Sequence, residues 1–330
     1  MMNLGLASDA ASATCPHTTV IFLDVDGVLN AGVRDDTNCS PLLLSTQNVK
    51  IVRKMAERGE LEQASKRLLS LLDRKPGHGE GAVEALAADT NTHISEVFVQ
   101  RLAQIIKAAG SKESVKVVLS SSWRKTTHRH RVMSLEAEIS RHLNYPFSFD
   151  DKTALAFEGN AEDRLRLIGD YLSQHYTSYH FNSNTIPARL NVLVLDDFFV
   201  TPFGGWRCGG MTMDSAEAAE RYLLRRLPAQ DTLPSEVRLV HSYDEWFTDQ
   251  GMRVQVGVGL TQEHLCKAMA FVNWEYRGCD GCGGSIVGSG ERESTSEEKN
   301  QGTQLKSTLS GKTQRGLQAV VSMMPWLFVH

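Results

Sequence analysis

Four short runs rich in Val, Ile and Leu constrain the fold of this 330-residue chain more than any other feature. They occupy residues 20–23, 115–119, 192–195 and 237–240. Short apolar runs of this kind are typical of strands buried on both faces of a parallel sheet. Segments with helical character lie between them, at residues 97–109, 132–143, 161–175 and 216–227. The alternation predicts an α/β fold, a Rossmann-like open parallel sheet wound by right-handed crossovers.

The rest of the chain departs from this alternation. Residues 45–90 are rich in Leu, Ala, Glu, Lys and Arg without a strand-like run, which predicts a helical, cap-like insert between the first two strands. We expect the α/β domain to span residues 18–248. Residues 1–17 predict a disordered leader, and 249–330 predict a poorly structured C-terminal extension with low complexity at 283–316.

Composition and charge narrow the functional classes. With 41% hydrophobic and 22% charged residues the chain is typical of globular proteins, and its net charge of -4 argues against a protein that wraps DNA. Six scattered cysteines predict reduced thiols, so we expect a cytoplasmic location, with a nuclear one left open. No apolar stretch reaches the roughly 20 residues of a membrane span, so no membrane partner is expected. The oligomeric state stays open.

Two carboxylates follow the first apolar run directly. Asp24 and Asp26 stand two positions apart, so an extended backbone turns both side chains to one side. Ligands of open α/β sheets bind at this carboxyl edge. Such a pair needs a shared proton or a cation, and Mg²⁺ prefers carboxylates, waters and phosphate oxygens. The motif by itself predicts either a magnesium-dependent phosphoryl site or a solvated acidic turn at Gly27.

Polar residues also follow the second run. Ser120 and Ser121 come directly after residues 115–119, where a hydroxyl either binds a phosphate oxygen or caps a helix. Arg124 begins a basic run at 124–131 that contains no acid. This run either steers a polyanion such as an RNA or DNA end or is the solvated start of a helix.

The third run ends in a second acidic pair, Asp196 and Asp197. Before it, Arg164 and Arg166 lie near the start of a predicted helix, and either can reach the same edge to hold phosphate and offset carboxylate charge. Because the carboxyl ends of parallel strands meet at one edge, we expect these groups to converge on one crevice.

The order of these motifs resembles the haloacid dehalogenase (HAD) superfamily. The matching phrases are Asp-x-Asp-Gly-Val-Leu-Asn from Asp24, Leu-Ser-Ser-Ser-Trp-Arg from Leu119 and Leu-Asp-Asp from Leu195, with a helix-opening arginine between the last two. Within the superfamily, the phrases around Trp123 and Asp196 are similar to the HAD-like domain of Swiss Army Knife RNA repair proteins. The resemblance spans about residues 18–247.

The resemblance implies catalytic roles. Asp24 is expected to attack phosphorus and form an aspartyl-phosphate, and Asp26 to protonate the leaving group and then to activate water. Ser120 is expected to bind the phosphoryl oxygens, and Arg164 to stand where the superfamily usually has a lysine.

The resemblance also implies a metal site. Magnesium ligands are expected from Asp24, the backbone carbonyl of Asp26 and Asp197, with Asp196 either supporting these ligands or acting as an alternative ligand. Ser121 and Arg124 are expected to contact the substrate.

A second possible metal site combines His264, Cys266, Cys279 and Cys282, whose spacing is irregular for zinc.

Three functions follow. The first is a magnesium-dependent phosphatase that hydrolyses a phosphomonoester on a phosphorylated small molecule. The second is a repair phosphatase acting on RNA or DNA ends, and the third is a catalytically silent module that keeps the fold. The presence of both Asp24 and Asp26 argues against the third, because a silent relative needs neither.

Overall fold

The computed structural model describes residues 17–34, 42–60, 63–72, 94–155, 161–176, 189–198, 206–248 and 251–273. The elements are β1 (His17–Leu23), β2 (Gly32–Arg34), β3 (Leu42–Leu43), α1 (Thr46–Glu57), α2 (Gln63–Leu72), α3 (Glu96–Ala109), β4 (Val115–Leu119), α4 (Arg129–Leu143), β5 (Asp151–Lys152), α5 (Ala161–Tyr176), β6 (Arg189–Asp196), β7 (Trp206–Cys208), β8 (Met211–Met213), α6 (Ala216–Leu224), β9 (Ser235–His241), β10 (Tyr243–Phe247), β11 (Arg253–Gly257) and α7 (Gln262–Val272). Two single-turn 3₁₀ helices, Ser122–Arg124 and Thr126–His128, connect β4 to α4.

A five-stranded parallel sheet forms the centre of the domain. Its strand order is β5-β4-β1-β6-β9, and all four pairings are parallel. The four apolar runs of the sequence lie in β1, β4, β6 and β9. The predicted α/β fold with a Rossmann-like open parallel sheet is therefore confirmed.

The alternation of side chains along β1 separates two hydrophobic cores. Ile21 and Leu23 face a core shared with α3, α4 and α7, whereas Val20 and Phe22 face a core shared with α5 and α6. All four side chains are fully buried, and complete burial of a side chain of this size stabilises the fold by roughly 1.5–3 kcal/mol. Helices thus cover both faces of the sheet and leave its carboxyl edge for the site.

A second, antiparallel sheet has the strand order β10-β11-β2-β3. Its strand β2 follows β1 closely, and Gly32 pairs with Gly257 in β11. The pairing continues beyond the strands, because the Gly259 amide donates to the Gly27 carbonyl at 3.0 Å and the Leu260 amide donates to the Val28 carbonyl at 2.8 Å. Residues 253–260 therefore lie alongside the loop that carries the first acidic pair.

The prediction of a poorly structured extension from residue 249 is wrong for residues 251–273, which contain β11 and α7. Val254 and Val256 are fully buried, and Thr261 begins α7 with a capping box. The error arose because Gly251, Gly257 and Gly259 interrupt the alternating apolar residues of 252–260, and glycines weaken the signal of a strand. The burial of β11 comes from pairing with β10, the preceding strand, and with β2, which is distant in the sequence.

Helices α1 and α2 lie within the range predicted as a helical insert. Residues 73–93 of that range are outside the described residues, so the cap-like insert stays a prediction. The predicted leader, except His17, and the low-complexity stretch at 283–316 are also outside them. Within the described parts of the chain, no helix combines the length and apolar character that crossing a membrane requires.

The packing of Gly259 predicts a specific loss of stability. Its φ of +78° is costly for other residues, and a Cβ there would overlap the ring of Phe98 in α3. Gly210 is a matched control, because its φ is +81° and no atom lies near a Cβ at that position. Gly210→Ala should cost about 1–2 kcal/mol for the backbone, and Gly259→Ala should cost a further 1–3 kcal/mol or so for the overlap. Denaturant unfolding of both variants measures the difference, and equal losses would contradict this packing.

Candidate active site

The carboxyl edge of the sheet brings the expected groups together. The Asp24 amide donates to the Leu195 carbonyl at 2.9 Å, and the Ser120 amide donates to the Leu23 carbonyl at 2.8 Å. The ladders thus hold the residues after β1, β4 and β6 side by side. Asp24 and Ser120 are 2% and 3% exposed, so the edge forms a buried site rather than a solvated turn.

Arg164 lies among three carboxylates. Its guanidinium forms an ion pair with Asp24, and its nitrogens lie 3.1 Å from Asp196 and 3.5 Å from Asp197. Arg166, the other candidate, is paired with the neighbouring Asp163, and its side chain is 48% exposed. The first turn of α5 therefore directs Arg164, and not Arg166, to the carboxylates.

The cluster contains more negative charge than Arg164 balances. Burial raises the pKa of Asp24, and Arg164 offsets this effect only in part. Burial likewise raises the pKa of Asp196 well above its usual range. Burial alone would lower the pKa of Arg164, but the charges of Asp196, Asp24 and Asp197 outweigh it and raise that pKa. Three carboxylates thus face two guanidinium groups, that of Arg164 in direct contact and that of Arg124 through its charge on Asp24 and Asp196, so positive charge is in short supply.

The donor set of this cluster fits a divalent cation. One carboxylate oxygen from each of Asp24, Asp196 and Asp197 lies within 4.8 Å of the others. Magnesium binds oxygen ligands at about 2.1 Å, so ligands on opposite sides of the ion are about 4.2 Å apart. Small side-chain shifts are therefore enough to bring these oxygens into coordination range.

Asp26 is held apart from this cluster. The Asn30 side-chain amide donates to one carboxylate oxygen at 3.1 Å, and the Trp123 indole N–H donates to the other at 3.1 Å. Burial and the charge of Asp24 raise the pKa of Asp26, while these two donors lower it in part. Asn30 and Trp123 belong to the motif phrases that resemble the family, but no role was predicted for either of them, because both contacts depend on the folded loops.

The serines and Arg124 line the base of the site. Ser121 is 1% exposed, and its hydrogen bond lowers the pKa of Asp24 in part. Arg124 is buried and donates to the carbonyls of Ser121 and Ala154 at 2.6 and 3.2 Å. Burial, followed by the charge of Arg164, lowers the pKa of Arg124 to about 10. These contacts give Arg124 a role in holding the loop after β4, and its expected contact with substrate stays a prediction.

Residues beyond the predicted motifs complete the wall of the site. The Ser242 hydroxyl donates to the Gly27 carbonyl at 2.8 Å, and its amide donates to the Asp196 carbonyl at 3.0 Å. A Cβ at Gly27, whose φ is +83°, would overlap the Asp197 carboxylate, and a Cβ at Gly257 would overlap the backbone of Gly27. Only glycine therefore allows the loop after β1, Asp197 and β11 to lie this close.

Two residues of the possible zinc site, His264 and Cys266, are among the described residues, and His264 takes part in the cap of α7. Nδ1 of His264 lies 3.0 Å from the Gly259 carbonyl and 3.2 Å from the Thr261 amide, within the capping box of α7. Cys266 lies on the same helix, where the Gln262 side-chain amide donates to its sulfur at 3.9 Å. Cys279 and Cys282 are outside the described residues, so a zinc site stays a prediction.

The charge balance around Arg164 predicts a large effect on stability. Removing one partner of a buried ion pair leaves uncompensated charge and typically costs about 3–5 kcal/mol. Arg164→Met should therefore lower the free energy of unfolding by about 3 kcal/mol, whereas Arg166→Met, on the exposed side of α5, should change it by less than about 0.5 kcal/mol. Urea unfolding of both variants measures this difference. Similar losses in the two would argue against Arg164 as the counter-ion of the cluster.

Comparison with known families agrees with this geometry. A family model described as the HAD domain in Swiss Army Knife RNA repair proteins matches residues 20–208. No curated protein and no solved structure gives a significant match. The matched residues include β1, β4 and β6, whose ends carry the carboxylates and serines, as well as Arg164 in α5. Because the match covers more than half of the 330 residues, the chain belongs to this family of HAD domains.

Proposed function

We propose that this protein is a magnesium-dependent phosphatase that transfers a phosphoryl group to Asp24 and then to water. The cluster of Asp24, Asp196, Asp197 and Arg164 supports the proposal most directly, because it combines a buried carboxylate nucleophile with excess negative charge. Asp26 lies next to this cluster with a raised pKa, as a general acid requires. Family membership supports hydrolase chemistry.

In the first step, one carboxylate oxygen of Asp24 forms a bond to phosphorus while the bond between phosphorus and the ester oxygen breaks. Asp26, in its protonated form, gives its proton to that ester oxygen, and the product leaves as an alcohol. The Arg164 guanidinium donates to the phosphoryl oxygens as well as to Asp24, and the Ser120 hydroxyl donates to the same oxygens.

In the second step, Asp26 is a carboxylate and takes a proton from water as the water oxygen attacks phosphorus. The bond between phosphorus and Asp24 breaks, which releases inorganic phosphate and restores the Asp24 carboxylate. Asp26 thereby regains the proton that it gave up in the first step, so protons balance over the cycle.

We further propose that Asp24, Asp197 and the backbone carbonyl of Asp26 hold Mg²⁺. Bound at this position, the ion supplies positive charge against the phosphoryl oxygens and the three carboxylates. Asp196 suits a supporting role better than a ligand role. One of its oxygens accepts from the Phe198 amide at 2.8 Å and the other accepts from Arg164 at 3.1 Å.

A second candidate function is phosphate removal from a nucleic-acid end. The basic run beside the site favours it, because Lys125, Arg129 and His130 are exposed immediately after the loop that carries Ser120 and Ser121. An exposed basic surface attracts the phosphates of a strand whose end lies in the site. The RNA repair proteins that give the family its description support the same substrate class.

Phosphate release tests both candidates. The wild-type protein and Asp24→Asn should be compared on sugar phosphates, nucleotides, phosphopeptides and RNA 5′- and 3′-phosphates, with Mg²⁺ and with EDTA. We expect the wild type to release phosphate from at least one of these substrate classes. Asp24→Asn should lower the rate about 10⁴-fold, and EDTA should abolish release. A preference for RNA ends over small esters would favour the second candidate. Release from none of them, or equal release by Asp24→Asn, would contradict the proposed reaction.

A further inference from the structure

The carboxylate of Asp26 is fixed by one donor on each of its oxygens. Asn30 Nδ2 donates to Oδ1 and Trp123 Nε1 donates to Oδ2, both at 3.1 Å. The Ser122 hydroxyl lies 3.5 Å from Oδ2, at the outer limit of a hydrogen bond. The two short contacts come from different chain segments, one from the loop after β1 and one from the 3₁₀ helix after the adjacent strand β4. They therefore fix the plane of the carboxyl group between two chain segments.

Neither Trp123 nor Asn30 presents an acceptor atom to a proton on Asp26. An indole N–H is only a donor. The orientation of the Asn30 amide is fixed as well, because its oxygen accepts from the Gly27 amide at 2.7 Å and its NH₂ group must face Asp26. A protonated Asp26 cannot donate back to either group, and the Ser122 hydroxyl at 3.5 Å is a weak acceptor, so the proton of Asp26 remains available to a substrate oxygen.

Trp123 is itself held firmly. Its side chain is buried, with the whole residue 4% exposed, and its amide donates to the capping hydroxyl of Ser121 at 3.4 Å. The His128 ring stacks on the indole at 6.4 Å between centroids, and the Arg131 guanidinium lies 5.9 Å from the ring centroid. These contacts leave the indole N–H little freedom to turn away from Asp26.

We infer that Trp123 is a positioning residue, which orients Asp26 so that its proton goes to the leaving group. The inference rests on the proposed phosphatase reaction and adds a residue to it. Protonation matters most when an alkoxide must leave and little when a nitrophenolate leaves, because the nitrophenolate is stable without a proton. The loss of the indole N–H should therefore slow the cleavage of alkyl phosphates and spare that of nitrophenyl phosphate.

Trp123→Phe tests the inference with two substrates. It removes the N–H donor and keeps an aromatic ring in the core. For an alkyl phosphate that the wild type hydrolyses, we expect kcat to fall about 10–100-fold with KM nearly unchanged. For 4-nitrophenyl phosphate, kcat should fall less than about threefold. The same substitution in an Asp26→Asn background should cause little further loss, because the group that it positions is absent. Trp246→Phe, in β10, is the control and should leave both rates unchanged.

A spectroscopic measurement makes the test independent of turnover. The chain has five tryptophans, and Trp→Phe substitutions at the other four identify the Trp123 indole signal in a ¹H–¹⁵N spectrum even if Trp123→Phe does not fold. We expect Asp26→Asn to shift that signal and to leave the other four in place. An unmoved signal, or equal losses on both substrates, would overturn the inference. Failure of the wild type to release phosphate would instead count against the proposed function.

Discussion

The ion pairs between Arg164 and the buried carboxylates are the interaction on which the site depends. Asp24, Asp196 and Asp197 come from the ends of two adjacent strands, and the sheet holds them close whatever their charge. Without a cation, burial and mutual repulsion would force these groups to bind protons or to move apart. Arg164 supplies part of the missing charge from the first turn of α5. A divalent cation would supply the positive charge that is still missing, and such cations are common in phosphoryl-transfer sites.

The geometry of this cluster also depends on residues after the family match, which ends at residue 208. Ser242 joins the loop after β1 to the end of β6 through hydrogen bonds to the carbonyls of Gly27 and Asp196. Gly257 in β11 packs against Gly27 and Asp197 so closely that a side chain would not fit. Ser242 and β11 therefore support the loop that carries the first acidic pair.

The central sheet could be predicted from the sequence because β1 and β6 leave uninterrupted buried apolar runs at residues 20–23 and 192–195. Strands β4 and β9 stay mostly apolar around the exposed Lys116 and Arg238. Because ligands of such sheets bind at the carboxyl ends of the strands, Asp24 and Asp196 could be selected as site residues without knowledge of tertiary contacts. Trp123 and Asn30 could not be found in this way, because a loop tryptophan and a loop asparagine have many ordinary uses, and only the fold brings both to Asp26. Strand β11 was missed for a related reason, since glycines weaken its sequence pattern and one of its two partners, β2, is far away in the sequence.

The central claim, that Asp24 receives the phosphoryl group, is tested most directly by detecting that group on the residue. Asp26→Asn should accept phosphate from a nitrophenyl ester, whose leaving group needs little protonation, yet should hydrolyse the intermediate slowly because it lacks the base. Acid quenching followed by peptide mass spectrometry should then show one phosphoryl group on the peptide that contains Asp24. Phosphate release by the wild type together with an unmodified Asp24 peptide in both proteins would contradict the account.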